Sequence, residues 1–170
     1  MIIREERKED RPAVYDLIRR AFASAEHADG NEQDLTEALR KGKSFIPALS
    51  LVAEEEGKLI GHILFTEAHI GGRAVLALAP LSVLPEFQRQ GVGQALIAEG
   101  HRIGKALGYP LSVVLGSETY CPKQGYVPAD TLGIEAPFDV PRENFMVCIL
   151  RETGKDIRGR MEYAEEFGIG

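Results

Sequence analysis

The sequence predicts a mixed α/β fold in a single domain, and three observations lead to that prediction. Segments with apolar residues at helical spacing alternate with short apolar runs that are typical of β-strands. Two of those runs flank a glycine turn, which is typical of a hairpin. The chain has 170 residues, 44% of them hydrophobic, which is enough for one sizeable core and short for two. We therefore expect a single domain over 1–170, with its core at about 1–150 and a C-terminal extension at 151–170 packed on that core.

The first part of the chain predicts a strand, two helices and a hairpin. A short strand at 2–4 precedes a helix that Asp10 can cap, and the apolar residues of this helix fall on one face. A weaker second helix ends near Gly42. The runs 49–54 and 58–70 form the hairpin, because the glycine between them favours a turn.

A third long strand and a third helix follow the hairpin. The strand begins at Val75 and contains Pro80, which has no N–H to give a neighbouring strand and so implies a bulge. Apolar residues then recur at helical spacing over 92–107, and Gly108 supplies the stop. Strands at 111–115, 125–129 and 144–150 and a short helix near 118–123 complete the predicted core. In the tail, we expect Met161, Tyr163 and Phe167 to pack back on the body.

Charge and composition exclude several classes of function. A net charge of -6 argues against nucleic acid as the main partner, because phosphate backbones recruit basic surfaces. The start at 1–8 is too charged for a signal peptide, and no apolar run approaches the roughly twenty residues of a membrane span. We therefore expect a cytoplasmic protein in which Cys121 and Cys148 are free thiols. No Cys-x-x-Cys or His-x-x-x-His spacing is present, so no metal is expected.

The run 81–96 joins a hydrophobic strand to a helix through a polar turn with two glycines. Gly91 and Gly93 carry no Cβ, so the backbone there can adopt unusual dihedral angles and approach a ligand closely. The first amides of the helix that follows have no intrahelical acceptors, and the helix dipole adds positive potential at that end. The run predicts a cradle for a diphosphate, with a turn that binds nothing as the alternative.

The spacing of the glycines and their neighbours distinguishes this predicted cradle from two other kinds of phosphate-binding loop. A dinucleotide fingerprint requires a third small residue at position 96, where the chain has Leu96, and an acidic residue about twenty positions later, which is absent. No window of the chain supplies the Gly-Lys-Ser/Thr end of a Walker loop.

The order Gln88-x-x-Gly91-x-Gly93 instead resembles the (Gln/Arg)-x-x-Gly-x-(Gly/Ala) signature of the GNAT superfamily of N-acetyltransferases, whose ligand is acetyl-CoA. The segment 113–128 is similar to the strand, short helix and Gly-aromatic turn that close the GNAT site. The Leu115-Gly116-x-x-x-Tyr120 form and the Leu78-x-Pro80-Leu81 run most resemble a bacterial branch of predicted acetyltransferases, often called YhbS-like. This resemblance implies a GNAT acyl-CoA N-acyltransferase fold, with a central, mostly antiparallel sheet that is splayed between its fourth and fifth strands and flanked by helices.

The resemblance also implies which residues bind the cofactor, acetyl-CoA. The pantetheine arm would fill the gap beside the third long strand, and the turn with the helix start would hold the diphosphate. The cofactor-binding residues implied are Leu81, Ser82, Val83, Gln88, Arg89, Gln90, Gly91, Val92, Gly93, Gln94, Ser117, Tyr120 and Lys123.

The catalytic residues implied are Tyr120, Cys121 and Glu67. Many GNAT enzymes place a tyrosine proton donor four residues before the glycine of the Gly-aromatic turn, and here that position is Cys121, with Tyr120 one before it. Either can serve, and acetylation of Cys121 itself, with ping-pong kinetics, is a third route. Strand alternation puts Glu67 and His69 on one side of a strand, which makes Glu67 a candidate general base. His62, Ser82 and a water chain are the alternatives.

These expectations combine into an acetyl-CoA-dependent N-acetyltransferase that transfers acetyl directly to a primary amine of a small molecule, peptide or protein. A non-catalytic acyl-CoA sensor with the same fold and a structural domain without a cofactor are the alternatives. The family places the acceptor side at 24–48 and 130–143 here, where Glu26, Asp29, Glu32 and Asp34 would suit a cation. A homodimer is compatible with the sequence, and neither nucleic acid nor a membrane is expected as a partner.

Overall fold

The computed structural model describes residues 1–23, 30–116 and 121–169, without the side chain of Cys121. The helices and strands along the chain are β1 (Ile2–Glu5), α1 (Arg11–Phe22), α2 (Glu32–Arg40), β2 (Phe45–Glu55), β3 (Lys58–Ile70), β4 (Arg73–Val83), α3 (Val92–Ala106), β5 (Leu111–Leu115), β6 (Val127–Pro128), β7 (Ile134–Glu135), β8 (Phe145–Ile149) and β9 (Gly159–Glu162).

The chain forms two compact units. The first unit contains Met1–Phe65 and Pro80–Gly100, and the second contains Thr66–Ala79 and His101–Gly170. The strands β3 and β4 and the helix α3 each contribute residues to both units. The neighbouring strands are mostly antiparallel, β4 and β5 form a parallel pair, and helices flank the sheet. This arrangement confirms the predicted fold class.

In the first unit, β1 pairs antiparallel with β2 and an arginine joins the start of α1 to this edge. Arg4 donates through Nη1 to Asp10 Oδ2 at 2.7 Å and through Nη2 to Glu54 Oε1 at 3.0 Å. Asp10 also accepts the backbone N–H of Arg7 at 2.7 Å. The predicted cap is therefore wrong in detail: Asp10 precedes α1, but its carboxylate makes no hydrogen bond to the amides of that helix. The hydrogen bond from Arg4 holds the pKa of Asp10 below its usual range.

Two glycines allow α3 to approach β3 closely within the first unit. A Cβ on Gly61 would lie 2.9 Å from Cγ1 of Val92, and a Cβ on Gly100 would overlap the ring of Phe65. A side chain at either position would require these neighbours or the helix to shift. Val92, at the start of α3 and in the predicted phosphate cradle, therefore packs closely against Gly61 of β3.

A buried polar cluster links the end of β1 to α2, β2 and β3 in the same unit. The guanidinium of Arg40 donates to both carboxylate oxygens of Glu6, at 2.6 and 2.9 Å, and these two side chains are only 4% and 2% exposed. Ser50 donates to Glu6 at 3.2 Å, and its Oγ lies 3.1 Å from Nε2 of His62. Burial, followed by the charge of Arg40, lowers the pKa of His62 to about 3.

In the second unit, β5 lies between a parallel neighbour, β4, and an antiparallel neighbour, β8. The parallel ladder between β4 and β5 runs from Leu76 and Ser112 to Leu78 and Val114. The antiparallel ladder between β5 and β8 covers the whole of β5, ending at Leu115, and β8 pairs in turn with β6. Beyond Leu78, β4 continues through Pro80 as one strand to Val83. The bulge expected at Pro80 stays a prediction.

The C-terminal segment supplies a strand that the sequence did not predict. β9 pairs antiparallel with the end of β3, where His69 faces Glu162, and parallel with β7. Met161 is fully buried, and the ring of Tyr163 stacks on Phe138 with 5.9 Å between centroids. Both β7 and β9 were missed because each is short and shows no run of alternating apolar residues.

Other predicted boundaries differ by a few residues. β2 begins at Phe45, before the exposed Pro47, because a strand tolerates proline where its N–H is not needed. The strand predicted at 125–129 is limited to β6. The short helix predicted near 118–123 is described only from Cys121, as a 3-10 helix over Cys121–Gln124.

We predict that His62 makes the protein acid-sensitive. Since the folded protein holds the pKa of His62 at about 3, protonation favours the unfolded chain as the pH falls below the ordinary value of about 6.5. The resulting loss of unfolding free energy is about 2 kcal/mol between pH 6.5 and pH 5. Urea denaturation at several pH values should show a flatter pH dependence for His62→Gln than for the unsubstituted protein. The exposed His69→Gln variant is the control, and parallel curves for all three proteins would contradict the prediction.

Candidate active site

The predicted phosphate cradle is a turn followed by the start of α3 in the first unit. After the 3-10 helix Pro85–Phe87, Gln88 is extended and two residues adopt left-handed backbone angles, Arg89 with φ 63° and Gly91 with φ 85°. Gly91 was predicted to need this freedom. Arg89 was not, because a non-glycine residue with positive φ leaves no mark in the sequence. Such strain persists where the surrounding structure imposes it, commonly at ligand sites.

The start of α3 has three main-chain donors without a helical partner. The first helical hydrogen bond runs from the N–H of Ala95 to the carbonyl of Gly91 at 3.0 Å, so the amides of 92–94 precede it and have no intrahelical acceptor. A Cβ placed on Gly91 would meet no atom within 4 Å, which shows that this side of the turn is open. Amides grouped in this way at a helix start can bind a phosphate group.

Two glutamine side chains brace the turn. Nε2 of Gln88 donates to the carbonyl of Val83 at 3.2 Å, and Nε2 of Gln90 donates to the carbonyl of Glu86 at 3.1 Å. Both were predicted to bind the cofactor. In this structure their amide groups hold the turn against the end of β4 and against the 3-10 helix.

The end of β4 contains a buried hydroxyl that the described residues do not satisfy. Ser82 is 1% exposed, and its Oγ has no hydrogen-bond partner in the described part of the chain. Leu81 and Val83 on either side are half-buried. A buried hydroxyl without a partner is costly, so this position is suited to a polar group supplied from outside the chain.

In the second unit, the Gly-aromatic turn closes the 3-10 helix Cys121–Gln124. The N–H of Gly125 donates to the carbonyl of Pro122 at 3.1 Å, and Gly125 has a left-handed φ of 93°. A Cβ there would make a tight contact of 3.2 Å with Sγ of Cys148, and the positive φ also favours glycine. Lys123 is exposed on this helix. The predicted residues Ser117 and Tyr120, and the thiol of Cys121, lie outside the described residues.

Cys148 is a poor nucleophile at this position. It is buried, and burial raises the pKa of its thiol. Its Sγ lies 3.8 Å from the carbonyl of Gln124, a distance that suits a weak thiol donor. The side chain therefore packs behind the turn as a small apolar group.

Glu67 and His69 do come together as strand alternation predicted. Nε2 of His69 lies 3.6 Å from Oε1 of Glu67, and the hydroxyl of Tyr109 donates to Oε2 of Glu67 at 2.7 Å. Burial and this hydrogen bond raise the pKa of Tyr109, so its proton remains on the phenol. Tyr109 was missed because it follows the end of α3, far from Glu67 in sequence. The cluster is a carboxylate with a fixed orientation, which can accept a proton.

His62 is less suited to that task. Its ring is fully buried, Nε2 is held by Ser50, and a pKa of about 3 leaves the imidazole neutral at ordinary pH. A base whose conjugate acid has so low a pKa takes a proton from an ammonium group only at a large energetic cost. Within the described ranges, no cluster of His, Cys, Asp and Glu has the arrangement of a metal site. None of the described helices has the length and apolar character needed to cross a membrane.

Comparison with known proteins agrees with this geometry. Residues 11–120 match the Acetyltransferase (GNAT) family. The chain is 39% identical over 142 residues to the uncharacterized N-acetyltransferase YjhQ of Escherichia coli K12, covering 81% of this chain and 76% of that protein.

Two crystal structures extend the likeness over almost the whole chain. YhbS of Escherichia coli in complex with CoA is 27% identical with a TM-score of 0.88, covering 98% of this chain and 91% of that one. A GNAT family acetyltransferase of Brucella melitensis in complex with acetyl-CoA is 30% identical with a TM-score of 0.82, covering 98% and 97%. This chain belongs to the GNAT family of acetyltransferases.

Proposed function

We propose that this protein is an acetyl-CoA-dependent N-acetyltransferase that transfers acetyl directly to a primary amine of a small molecule, peptide or protein. The observation that carries the proposal is the turn at 88–91, whose two left-handed residues lead into three amides without intrahelical acceptors. YhbS and the Brucella melitensis protein, which are similar over nearly the whole chain, were crystallised with CoA and acetyl-CoA. That likeness supports the same donor here.

The residues present fit such a cofactor. The open side of Gly91 leaves room for a diphosphate against the amides of 92–94, and Arg89 adds a nearby positive charge. The unpartnered hydroxyl of Ser82, with the main chain of 81 and 83, would meet the polar groups of the pantetheine arm. We propose that Lys123, Ser117 and Tyr120 complete the binding site.

When bound, acetyl-CoA supplies an acetyl group activated as a thioester. Holding the amine against that group can account for about 7–11 kcal/mol of the barrier. We propose that the main-chain amides of 81–83 stabilise the developing oxyanion. Tyr120 or Cys121 would give a proton to the departing thiolate. Glu67, oriented by the 2.7 Å hydrogen bond from Tyr109, is our proposed base, with a water chain as the alternative.

We predict that Gly91→Asp abolishes acetyl-CoA binding. Aspartate would place a carboxylate and extra volume where the diphosphate would lie, so repulsion and bulk act together. The measurement is the increase in melting temperature with acetyl-CoA, since a ligand at one hundred times its Kd stabilises the folded state by about 2.7 kcal/mol.

Gly72→Asp is the matched control for that prediction. Gly72 also has a positive φ, 79°, and open space around it, but it lies in the turn between β3 and β4. It should keep the full shift with acetyl-CoA. Undiminished binding by Gly91→Asp would refute the cradle, and no shift for the unsubstituted protein would favour a domain without a cofactor.

We predict that either Tyr120→Phe or Cys121→Ala lowers kcat by about a hundred- to ten-thousandfold, the usual contribution of a general acid. The other variant should remain near the unsubstituted rate, and the KM for acetyl-CoA should change little. Release of the CoA thiol across a panel of amines gives both constants. If neither substitution lowers kcat, both assignments are wrong.

The same assay tests direct transfer. Plots of reciprocal initial rate at several acetyl-CoA concentrations should intersect, because both substrates are bound before the acetyl group moves. Parallel plots, together with an acetylated Cys121 in the absence of amine, would indicate the ping-pong route. Tight acetyl-CoA binding without release of thiol for any amine would favour the sensor module.

A further inference from the structure

Tyr126, the aromatic residue of the Gly-aromatic turn, has a buried hydroxyl at the centre of a hydrogen-bonded chain. The residue is 1% exposed. Its hydroxyl oxygen lies 2.9 Å from Nε2 of His101 on α3 and 2.9 Å from Oγ of Ser112 on β5. The His101 ring is tilted against the Tyr126 ring at 5.3 Å between centroids. A single phenol therefore joins a helix, a strand and a turn, all within the second unit.

The hydrogen bonds among Tyr126, His101 and Ser112 pair polar side chains that have little access to water. Ser112 is fully buried, and burial lowers the pKa of His101 to about 4, so the imidazole is neutral at ordinary pH. A neutral imidazole has one donor nitrogen and one acceptor nitrogen, and a hydroxyl can both donate and accept. The three groups can thus pair in either direction without a net charge. Removal of the central hydroxyl would leave the serine and the histidine nitrogen without that partner.

The turn that Tyr126 anchors is also the turn that ends the 3-10 helix Cys121–Gln124. Gly125, one residue earlier, closes that helix with the hydrogen bond to Pro122 and packs against Cys148. Cys121 and Lys123 lie four and two residues before Gly125. The position of the 3-10 helix is therefore coupled to the position of the Tyr126 hydroxyl.

We infer that Tyr126 is a positioning residue, whose hydroxyl, held between His101 and Ser112, fixes the 3-10 helix that carries Cys121 and Lys123 where these two residues can act on the cofactor. This inference rests on the proposed function, because the role of the helix is to meet acetyl-CoA. The hydroxyl touches neither substrate nor cofactor in this assignment. It acts through the backbone of the turn.

Tyr126→Phe tests the inference, because phenylalanine keeps the buried ring and removes only the hydroxyl. We expect the KM for acetyl-CoA to rise about tenfold or more, since the turn loses a buried hydrogen-bond anchor. The KM for the amine should stay within about twofold. A role in stability alone would leave both KM values unchanged at a temperature where every variant is fully folded by circular dichroism.

Two further variants keep the test decisive. Tyr163→Phe removes a hydroxyl from another tyrosine of the same unit, a partly buried one that stacks on Phe138, and should change neither KM. Ser112→Ala removes one partner and leaves the bond between Tyr126 and His101, so it should raise the KM for acetyl-CoA in the same direction but less. If Tyr126→Phe fails to fold, Ser112→Ala carries the test.

Amide hydrogen exchange over 121–126 gives an independent readout. Exchange in Tyr126→Phe should be about tenfold faster in this segment and unchanged in α1, because the opening is local. Unchanged KM for acetyl-CoA in both Tyr126→Phe and Ser112→Ala, with the unsubstituted protein binding acetyl-CoA normally, would overturn the inference and leave the proposed function intact. Failure of the unsubstituted protein to bind acetyl-CoA would instead overturn the proposed function.

Discussion

The amides at the start of α3 precede the first helical hydrogen bond, and the rest of the candidate site depends on that constraint. A helix start needs acceptors from side chains, water or a ligand. Here the turn before it is shaped by left-handed angles at Arg89 and Gly91, and its glutamine side chains bond to carbonyls of the turn and of β4. The side chains thus hold the turn in shape, and the amides of 92–94 are the donors that we propose for the diphosphate.

Elsewhere in the first unit, a cluster of buried polar side chains is held by hydrogen bonds within the protein. Glu6, Arg40, Ser50 and His62 form a cluster in which a buried charge meets an opposite charge and hydrogen-bond partners. The hydroxyl of Ser82 is buried to the same degree but finds no partner within the described residues. Nδ1 of His62, within the cluster, is also buried without a partner, so the unpartnered Ser82 hydroxyl supports the proposed cofactor contact only together with its position at the end of β4.

The sequence predicted those parts of the structure that depend on neighbours in the chain. The three long helices, the β2–β3 hairpin and the left-handed turn at Gly91 follow from spacing and from the conformational freedom of glycine. The strands β7 and β9, the hydrogen bond from Tyr109 to Glu67 and the chain through Tyr126 could not be predicted in that way. Each of them joins residues distant in sequence, and only the fold decides which of them meet. The left-handed Arg89 was equally invisible, because its backbone is set by the turn around it.

The pairing of β9 with both β3 and β7 affects folding of the chain during translation. The end of β3 leaves the ribosome early, whereas one of its two neighbours is translated only after β8. Until β9 is made, the main-chain N–H and C=O groups of His69 and Ile70 that pair with it must be hydrogen-bonded to water or to non-native partners. Formation of such long-range pairs is slow, and an open strand edge is a place where unfinished chains associate. Biogenesis of the second unit is therefore expected to finish late.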